Sequence, residues 1–266
     1  MTINVQTICG WAYEAGTIAM SHFRRTVGSR KADDTIVTIA DTEIEQFLRD
    51  EIHATFPDHG IQGEEQGSSN IGQEYVWSLD PIDGTNAFAS GLPIWGISLG
   101  LLRHGTPVLG VIYLPVTDDC FWSEGHDPTD DGTAAFWNGT PIRVRSAPTA
   151  PAAPYDGQDW LAITSDAHLH YHVRFRGKTR STGSTVAHMC YVAQGVAVGA
   201  LLGYARLWDI AAGVAIVTAA GGVVTRLHSS PPDYAQMLRG TAPPSALLVA
   251  PPHMLPILQA EISLLA

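Results

Sequence analysis

The chain has 266 residues, 45% of them apolar and 15% charged, with 15 basic and 26 acidic side chains and a formal net charge of −11. This apolar share supports a large buried core and excludes a disordered chain. So strong an acidic excess repels phosphate backbones and excludes a general nucleic-acid binder, though not a small phosphorylated substrate whose charge is met by metal ions held in a local acidic cluster.

In chain order, Ile8, Trp11, Ala12, Ala15, Ile18, Ala19 and Phe23 recur at helical spacing and predict a first helix over 3–27. A second helix is predicted over 41–55, with Ile44, Phe47, Leu48 and Ile52 on one face and Thr38 or Asp41 as its start signal. Pro57, Asp58 and Gly60 break the chain. The run 75–79 reads as a strand ending at Asp80. Two more strands, 96–102 and 107–113, are joined by a hairpin turning at His104-Gly105. Asn138-Gly139 is another turn signal.

Pro148, Pro151 and Pro154 place a boundary within 146–159. It divides the chain into an N-terminal half, 1–147, and a C-terminal half, 148–266. The second half alternates: strand 160–164, helix 183–195, strand 196–202, helix 209–220, then strands at 222–226 and 245–250. That alternation predicts an α/β layer.

Cys9, Cys120 and Cys190 match no zinc pattern and no disulfide framework. They read as reduced core thiols, which predicts a cytoplasmic protein. No apolar segment of signal-peptide type accompanies Arg24, Arg25, Arg30 and Lys31. Residues 181–205 lack Asp, Glu, Lys and Arg, a length sufficient to cross a bilayer. Gly183, Gly195, Gly199, Gly203, His188 and Gln194 interrupt the run, so it reads as a buried helix leading into a buried strand, with no membrane span.

The most informative string is Leu79-Asp80-Pro81-Ile82-Asp83-Gly84-Thr85. It sets two carboxylates at the end of an apolar strand, beside backbone N–H groups at a helix start. Hard cations take carboxylate and carbonyl oxygens, and phosphate takes N–H groups. A capped turn uses the same residues. Gly63-Glu64-Glu65 adds a carboxylate pair that is costly to assemble without a cation, unless it is a solvated loop. Trp208-Asp209-Ile210-Ala211-Ala212-Gly213 places one carboxylate in uncharged surroundings, where it needs a partner or caps a helix. His168, His170 and His172 would share one face if extended, but read as an exposed loop rather than a metal site.

These three acidic strings, with Val37-Thr38-Ile39-Ala40-Asp41, Gly110-Val111-Ile112-Tyr113-Leu114-Pro115, Asn138-Gly139, Arg180-Ser181-Thr182-Gly183-Ser184 and Ala220-Gly221-Gly222, resemble the inositol monophosphatase family of Mg²⁺-dependent, lithium-sensitive phosphatases. The resemblance covers roughly residues 10 to 225. It implies an α+β or α/β fold, the layered αβαβα sandwich of sugar phosphatases, usually as a homodimer. It implies Glu64, Asp80 and the Ile82 carbonyl as ligands of a first Mg²⁺ and Asp80, Asp83 and Asp209 as ligands of a second. A third, weaker ion would sit near Glu64. Asp41 and Thr85 match the pair that orients and deprotonates the attacking water, with Glu64 beside them. Lys31 matches a basic loop residue. The N–H groups of Gly84 and Thr85 would hold phosphate, with Asn86, Ser184, Leu202 and Asp209 around the substrate.

The implied activity is phosphoric monoester hydrolysis of a small polyol phosphate such as inositol monophosphate. Features are mixed, however. Inositol phosphatases carry a Glu some seven residues before the tryptophan–aspartate motif, where this chain has Leu202 next to Leu201. Residues 89–96 and Thr164-Ser165 look more like the histidinol-phosphatase branch, and Trp95 is placed to lean on an imidazole or sugar face. Histidinol phosphate is therefore the alternative substrate. A non-catalytic regulatory protein on the same fold is the alternative of another class.

Overall fold

The computed structural model describes residues 3–25, 28–30, 36–124, 134–148, 153–241, 243 and 245–265. In the first half come α1 (Val5–His22), β1 (Ser29–Arg30), β2 (Ile36–Val37), α2 (Ile39–Thr55), β3 (Gly60–Gly63), β4 (Ser68–Ser69), β5 (Tyr75–Asp83), α3 (Thr85–Ala89), β6 (Gly96–Arg103), β7 (Thr106–Leu114), β8 (Asp119–Ser123), β9 (Ala135–Trp137) and β10 (Thr140–Ile142). There follow β11 (Trp160–Ile163), α4 (Ala167–His170), β12 (Tyr171–Val173), β13 (Lys178–Arg180), α5 (Thr185–Ala193), β14 (Gly199–Leu202), α6 (Leu207–Ala219), β15 (Val223–Arg226), α7 (Tyr234–Leu238), β16 (Leu247–Ala250), α8 (Leu255–Glu261) and β17 (Ile262–Leu264).

Strands β10-β9-β8-β7-β6-β5-β3-β4 form one sheet, antiparallel except for the β3–β5 pair. Strands β13-β11-β14-β16-β15 form a second, mixed sheet. Helices α1 and α2 cover one face of the first sheet, and α5 and α6 lie between the two sheets. Met254 and Leu258 of the α8 segment pack with Leu161, Leu201 and Leu248 on the outer face of the second. The order α, β, α, β, α is the expected layered sandwich.

Period two along the strands assigns each side chain to a layer. In β14, Leu201 enters the outer core and Leu202 the central one. The uncharged run 181–205 is α5 plus β14, buried between layers as expected. Among the described residues no helix is long and apolar enough to cross a membrane. His104-Gly105 and Asn138-Gly139 both take positive φ, as tight hairpin turns require. The three cysteines are buried and free. The first helix ends earlier than its apolar pattern, at His22, because Arg24 adopts φ 61°.

One contact sets the height of α6 above the first sheet. Gly100 of β6 pairs directly with Gly110 of β7, and the backbone of Ala211 and Ala212 rests on this pair. A Cβ on Gly110 would lie 2.2 Å from the Ala212 carbonyl oxygen. Gly110→Ala is therefore expected to destabilise the protein by at least ~1–3 kcal/mol through overpacking. Gly72→Ala, where a Cβ meets nothing within 4 Å, should be near neutral. Denaturant midpoints of the two variants check this.

Candidate active site

The site begins with an irregularity in β5. In a regular strand, residues three apart point to opposite faces. Here Asp80 pairs with Ser98 and Asp83 with Gly96, so the register shifts by one residue between them. The extra residue reverses the alternation. Before it, Trp77 and Leu79 face the α1–α2 core; after it, Ile82 does. Asp80 and Asp83 are thereby both turned toward the α5–α6 layer. Pro81, which has no N–H for a ladder, is tolerated at such a bulge. The strand thus runs three residues beyond the predicted end at Asp80, to Asp83.

Each carboxylate is held through one oxygen. Ile82 N donates to Asp80 Oδ1 at 3.0 Å. The Ser184 hydroxyl donates to Asp83 Oδ2, and Val186 N donates to the same oxygen at 3.1 Å. Arg206 N donates to Asp209 Oδ2 at 2.6 Å. The start of α5 therefore points a first-turn donor at Asp83, as helix N-termini do for anions, while Asp209 bonds back to the cap residue of its own helix α6. Asp41, at the start of α2, accepts from Thr38 N at 2.8 Å and Thr38 Oγ1 at 2.6 Å, both through Oδ2. Thr38, not Asp41, is the helix cap. The Thr85 hydroxyl donates to the Ile82 carbonyl at 3.0 Å and stands 3.5 Å from Asp41 Oδ1.

Asp41, Asp80 and Asp83 are buried, while Glu64 and Asp209 are half-buried at the rim. Burial raises the Asp80 carboxyl well above the ordinary range, and the charges of Glu64, Asp83, Asp209 and Asp41 add to it. Burial likewise lifts Asp83 to about 7, against the hydrogen bonds from Ser184 and Val186. Asp209 is raised by burial and then by Asp83, with Arg206 working in the opposite direction. Asp41 rises to about 6, mainly by burial. Arg206 is thus a cation beside the cluster.

Among the described residues, no three His, Cys, Asp or Glu side chains close into a ready metal cage. The site's carboxylates act on one another electrostatically, while each is tied back by a neighbouring donor. Their chemistry still fits hard divalent cations. The donors are carboxylate oxygens, the ligand type that hard cations take. His168, His170 and His172 stand exposed on α4 and β12, apart from the site.

Beside the carboxylates lies a pocket of about 90 Å³ lined by Ser184, Thr185, Leu202 and Tyr204, with Thr164 and Ser165 opposite. Leu202 forms part of its wall but is only 2% exposed. Tyr204, also in the lining, is 71% exposed, with the Arg206 guanidinium 5.1 Å from its ring centre. His188, also on the pocket, is held neutral: burial lowers it to about 4, and Nε2 accepts from Thr182 N at 3.1 Å. Asn86 is exposed, and its Oδ1 accepts from Ser90 within α3. Gly84 takes φ 87° at the start of α3. Trp95 is not a site residue. It is fully buried in the core beneath α1 and α2, packed on Phe88 at 4.8 Å and Phe23 at 5.3 Å. Lys31 lies outside the described residues. Tyr204 and the Ser184–Asp83 contact were not legible in the sequence. A lone aromatic in a polar loop carries no signal of its own, and the serine is 101 residues from its partner.

The five-layer sandwich thus groups buried carboxylates at strand and helix ends. Residues 4–254 match the inositol monophosphatase family profile, and the chain belongs to that family. It is 37% identical over 212 residues to inositol-1-monophosphatase ImpA of Mycolicibacterium smegmatis, covering 76% of this chain and 74% of that one. It is 34% identical over 227 residues to a histidinol-phosphatase of Chlorobaculum parvum, covering 84% and 85%. It is 33% identical over 205 residues to a fructose-1,6-bisphosphatase/inositol-1-monophosphatase of Aquifex aeolicus, covering 73% and 74%. Among solved structures, the Thermotoga maritima IMPase superposes with a TM-score of 0.79 at 26% identity, covering 96% and 95%. The chain is accordingly an enzyme of the phosphoric monoester hydrolase type.

The raised carboxyls make stability depend on pH. Between about pH 4, where a free Asp titrates, and the folded values of about 6 for Asp41 and about 7 for Asp83, the native state keeps protons that the unfolded chain has lost. Stability of the metal-free protein then falls as pH rises through that window. The melting temperature of EDTA-treated protein should decline from pH 5 to pH 8, and decline less in Asp83→Asn. A flat or rising wild-type curve would contradict the stated burial.

Proposed function

We propose that the protein is a Mg²⁺-dependent phosphomonoesterase that hydrolyses a small polyol phosphate, such as inositol monophosphate, with an activated water. The observation that carries this reading is the pair Asp80 and Asp83, brought to one side of β5 and buried within electrostatic reach of Glu64, Asp209 and Asp41. Glu64, Asp80 and the Ile82 carbonyl are the proposed donors to one cation, and Asp80, Asp83 and Asp209 to a second; a third, weaker ion is placed near Glu64. When bound, such ions polarise phosphoryl oxygens and acidify a water.

The chain's own residues supply the rest. Thr38 occupies Asp41 Oδ2, which turns Oδ1 toward the Thr85 hydroxyl. If that hydroxyl donates to Asp41 instead of Ile82, its oxygen becomes an acceptor for a proton from water. A carboxyl near 6 suits a base working close to neutral pH. The N–H groups of Gly84 and Thr85 are the proposed phosphate holders, with Asn86 beside them, and Lys31 a further basic contact. Ser184 orients Asp83 and shares the leaving-group pocket with Leu202 and Tyr204.

Leu202 offers no acceptor to a ring hydroxyl, and an apolar wall discriminates weakly. We therefore infer broad activity on several phosphomonoesters. Histidinol phosphate is the second reading, favoured by the exposed Tyr204 ring at the pocket mouth, against which an imidazole can lie. In line with the family, we take the enzyme to be lithium-sensitive and homodimeric. The buried, free thiols support a cytoplasmic setting.

Exhaustive EDTA treatment should abolish phosphate release, and Mg²⁺ should restore it. Asp83→Asn and Asp209→Asn should each lower turnover more than about 100-fold at limiting Mg²⁺, a loss at or above that of disturbing a ligand's support, while the fold persists. Full activity without divalent ions, or near-native activity in either variant, would remove the assigned ligands. In a panel of inositol-1-phosphate, histidinol phosphate and fructose-1,6-bisphosphate, no ester should exceed the rest by more than about 100-fold, the most that a single weak apolar contact discriminates.

A further inference from the structure

Behind the site, α2 carries a second set of charges that the proposed chemistry does not use. Asp41, Glu45 and Arg49 are spaced one helical turn apart and are buried beside the apolar row Ile44, Leu48 and Ile52. Asp41 belongs to the site. Glu45 is 0% exposed and Arg49 7%, with Arg49 Nε donating to Glu45 Oε1 at 2.8 Å. A buried ion pair is poor value for stability alone, since apolar residues of similar volume do as well. The further contacts of this pair say what it holds.

All of those contacts go to the turn 63–67. Glu65 N donates to Glu45 Oε2 at 2.7 Å, and Gln66 N donates to Glu45 Oε1 at 3.0 Å. Arg49 Nη2 donates to the Gly67 carbonyl, which also accepts from Gly63 N at 3.0 Å. A Cβ on Gly63 would lie 2.0 Å from Glu45 Oε1, so only glycine admits the carboxylate there. Glu64 sits inside this closed turn, with its own N–H bonded to the Leu79 carbonyl at 3.2 Å. The N-terminal end of the same helix holds Asp41.

We propose that Glu45 and Arg49 are positioning residues: a buried clamp on α2 that fixes the 63–67 turn and so places the Glu64 carboxylate for its divalent cation. The proposal rests on Glu64 being a cation ligand, as argued under the proposed function. Both Asp41 and Glu64 are then referenced to one rigid helix. Support of this kind around a metal ligand is worth about 10–100-fold in metal affinity.

The test is calorimetric titration of the metal-free protein with Mg²⁺, alongside Mg²⁺ activation of phosphate release. Glu45→Gln keeps size and one acceptor oxygen but loses the charge. It should weaken Mg²⁺ binding about 10-fold or more, with kcat at saturating Mg²⁺ nearly retained. In a Glu64→Gln background the same change should cost nothing further, because coupled residues are not additive. Arg49→Lys keeps the charge but loses the fork that reaches Glu45 and the Gly67 carbonyl together, and should shift Mg²⁺ affinity in the same direction. It serves if Glu45→Gln does not fold. Unchanged affinity in the folded clamp variants, or an equal loss with and without Glu64, overturns the clamp while the site stands. Unchanged binding in Glu64→Gln alone overturns both.

Discussion

Carboxylates buried beside one another repel, and burial strips away the water that would screen them. Four of this protein's acidic groups, Asp41, Asp80, Asp83 and Asp209, are raised in just this way. The chain meets the cost by giving each group donors from its own backbone and hydroxyls. Those donors come from four places: the bulge in β5, the cap of α2, the cap and first turn of α5 and the cap of α6. The remaining deficit of positive charge is what we assign to cations. In this sense much of the architecture exists to hold negative charge where an isolated chain would not tolerate it.

The layering makes that holding rigid. Helix α6 is seated on Gly100 and Gly110 with no room for a methyl group between, and Ser98 Oγ donates to the Trp208 carbonyl at 3.4 Å just before Asp209. Asp83 reaches across to Ser184 and Val186 on α5. Interiors packed at crystal density do not deform continuously, so distances between residues 80, 83, 184 and 209 follow from how the layers seat. The proposed clamp extends the same logic to the opposite side, where α2 sets Asp41 and the 63–67 turn together.

The pocket beside this core is built differently. Its wall comes from the end of β14 and the loop into α6, with an exposed tyrosine, a neutral histidine and a leucine. These stand among the hydroxyls of Thr164, Ser165, Ser184 and Thr185. A rigid carboxylate core thus stands next to a pocket of small hydroxyls, each able to donate or accept, which agrees with the broad specificity proposed for this enzyme.

Much of this was legible from local pattern. Apolar periodicity located α1 and α2, alternation and Gly-containing turns located the β6–β7 hairpin, and an uncharged run read correctly as a buried helix and strand. The acidic strings identified the family and the residues to examine. Such features depend on neighbours within a few positions, so a linear reading captures them. Other features depend on chain segments far apart. Asp80 and Asp83 share a face only because β5 slips by one residue against β6, a pairing outcome that three-residue spacing alone would contradict. Trp95 looked available and is sealed in the core by Phe23 and Phe88. Leu202 rather than Leu201 faces the site because β14 pairs with β11 and β16 in one register. Glu45 and Arg49 are buried because the 63–67 turn, distant in sequence, folds over them. By itself the sequence determined which elements form and which residue types carry the charge. Tertiary structure decided which of those charges meet, because register and burial are set by contacts between segments and not along one.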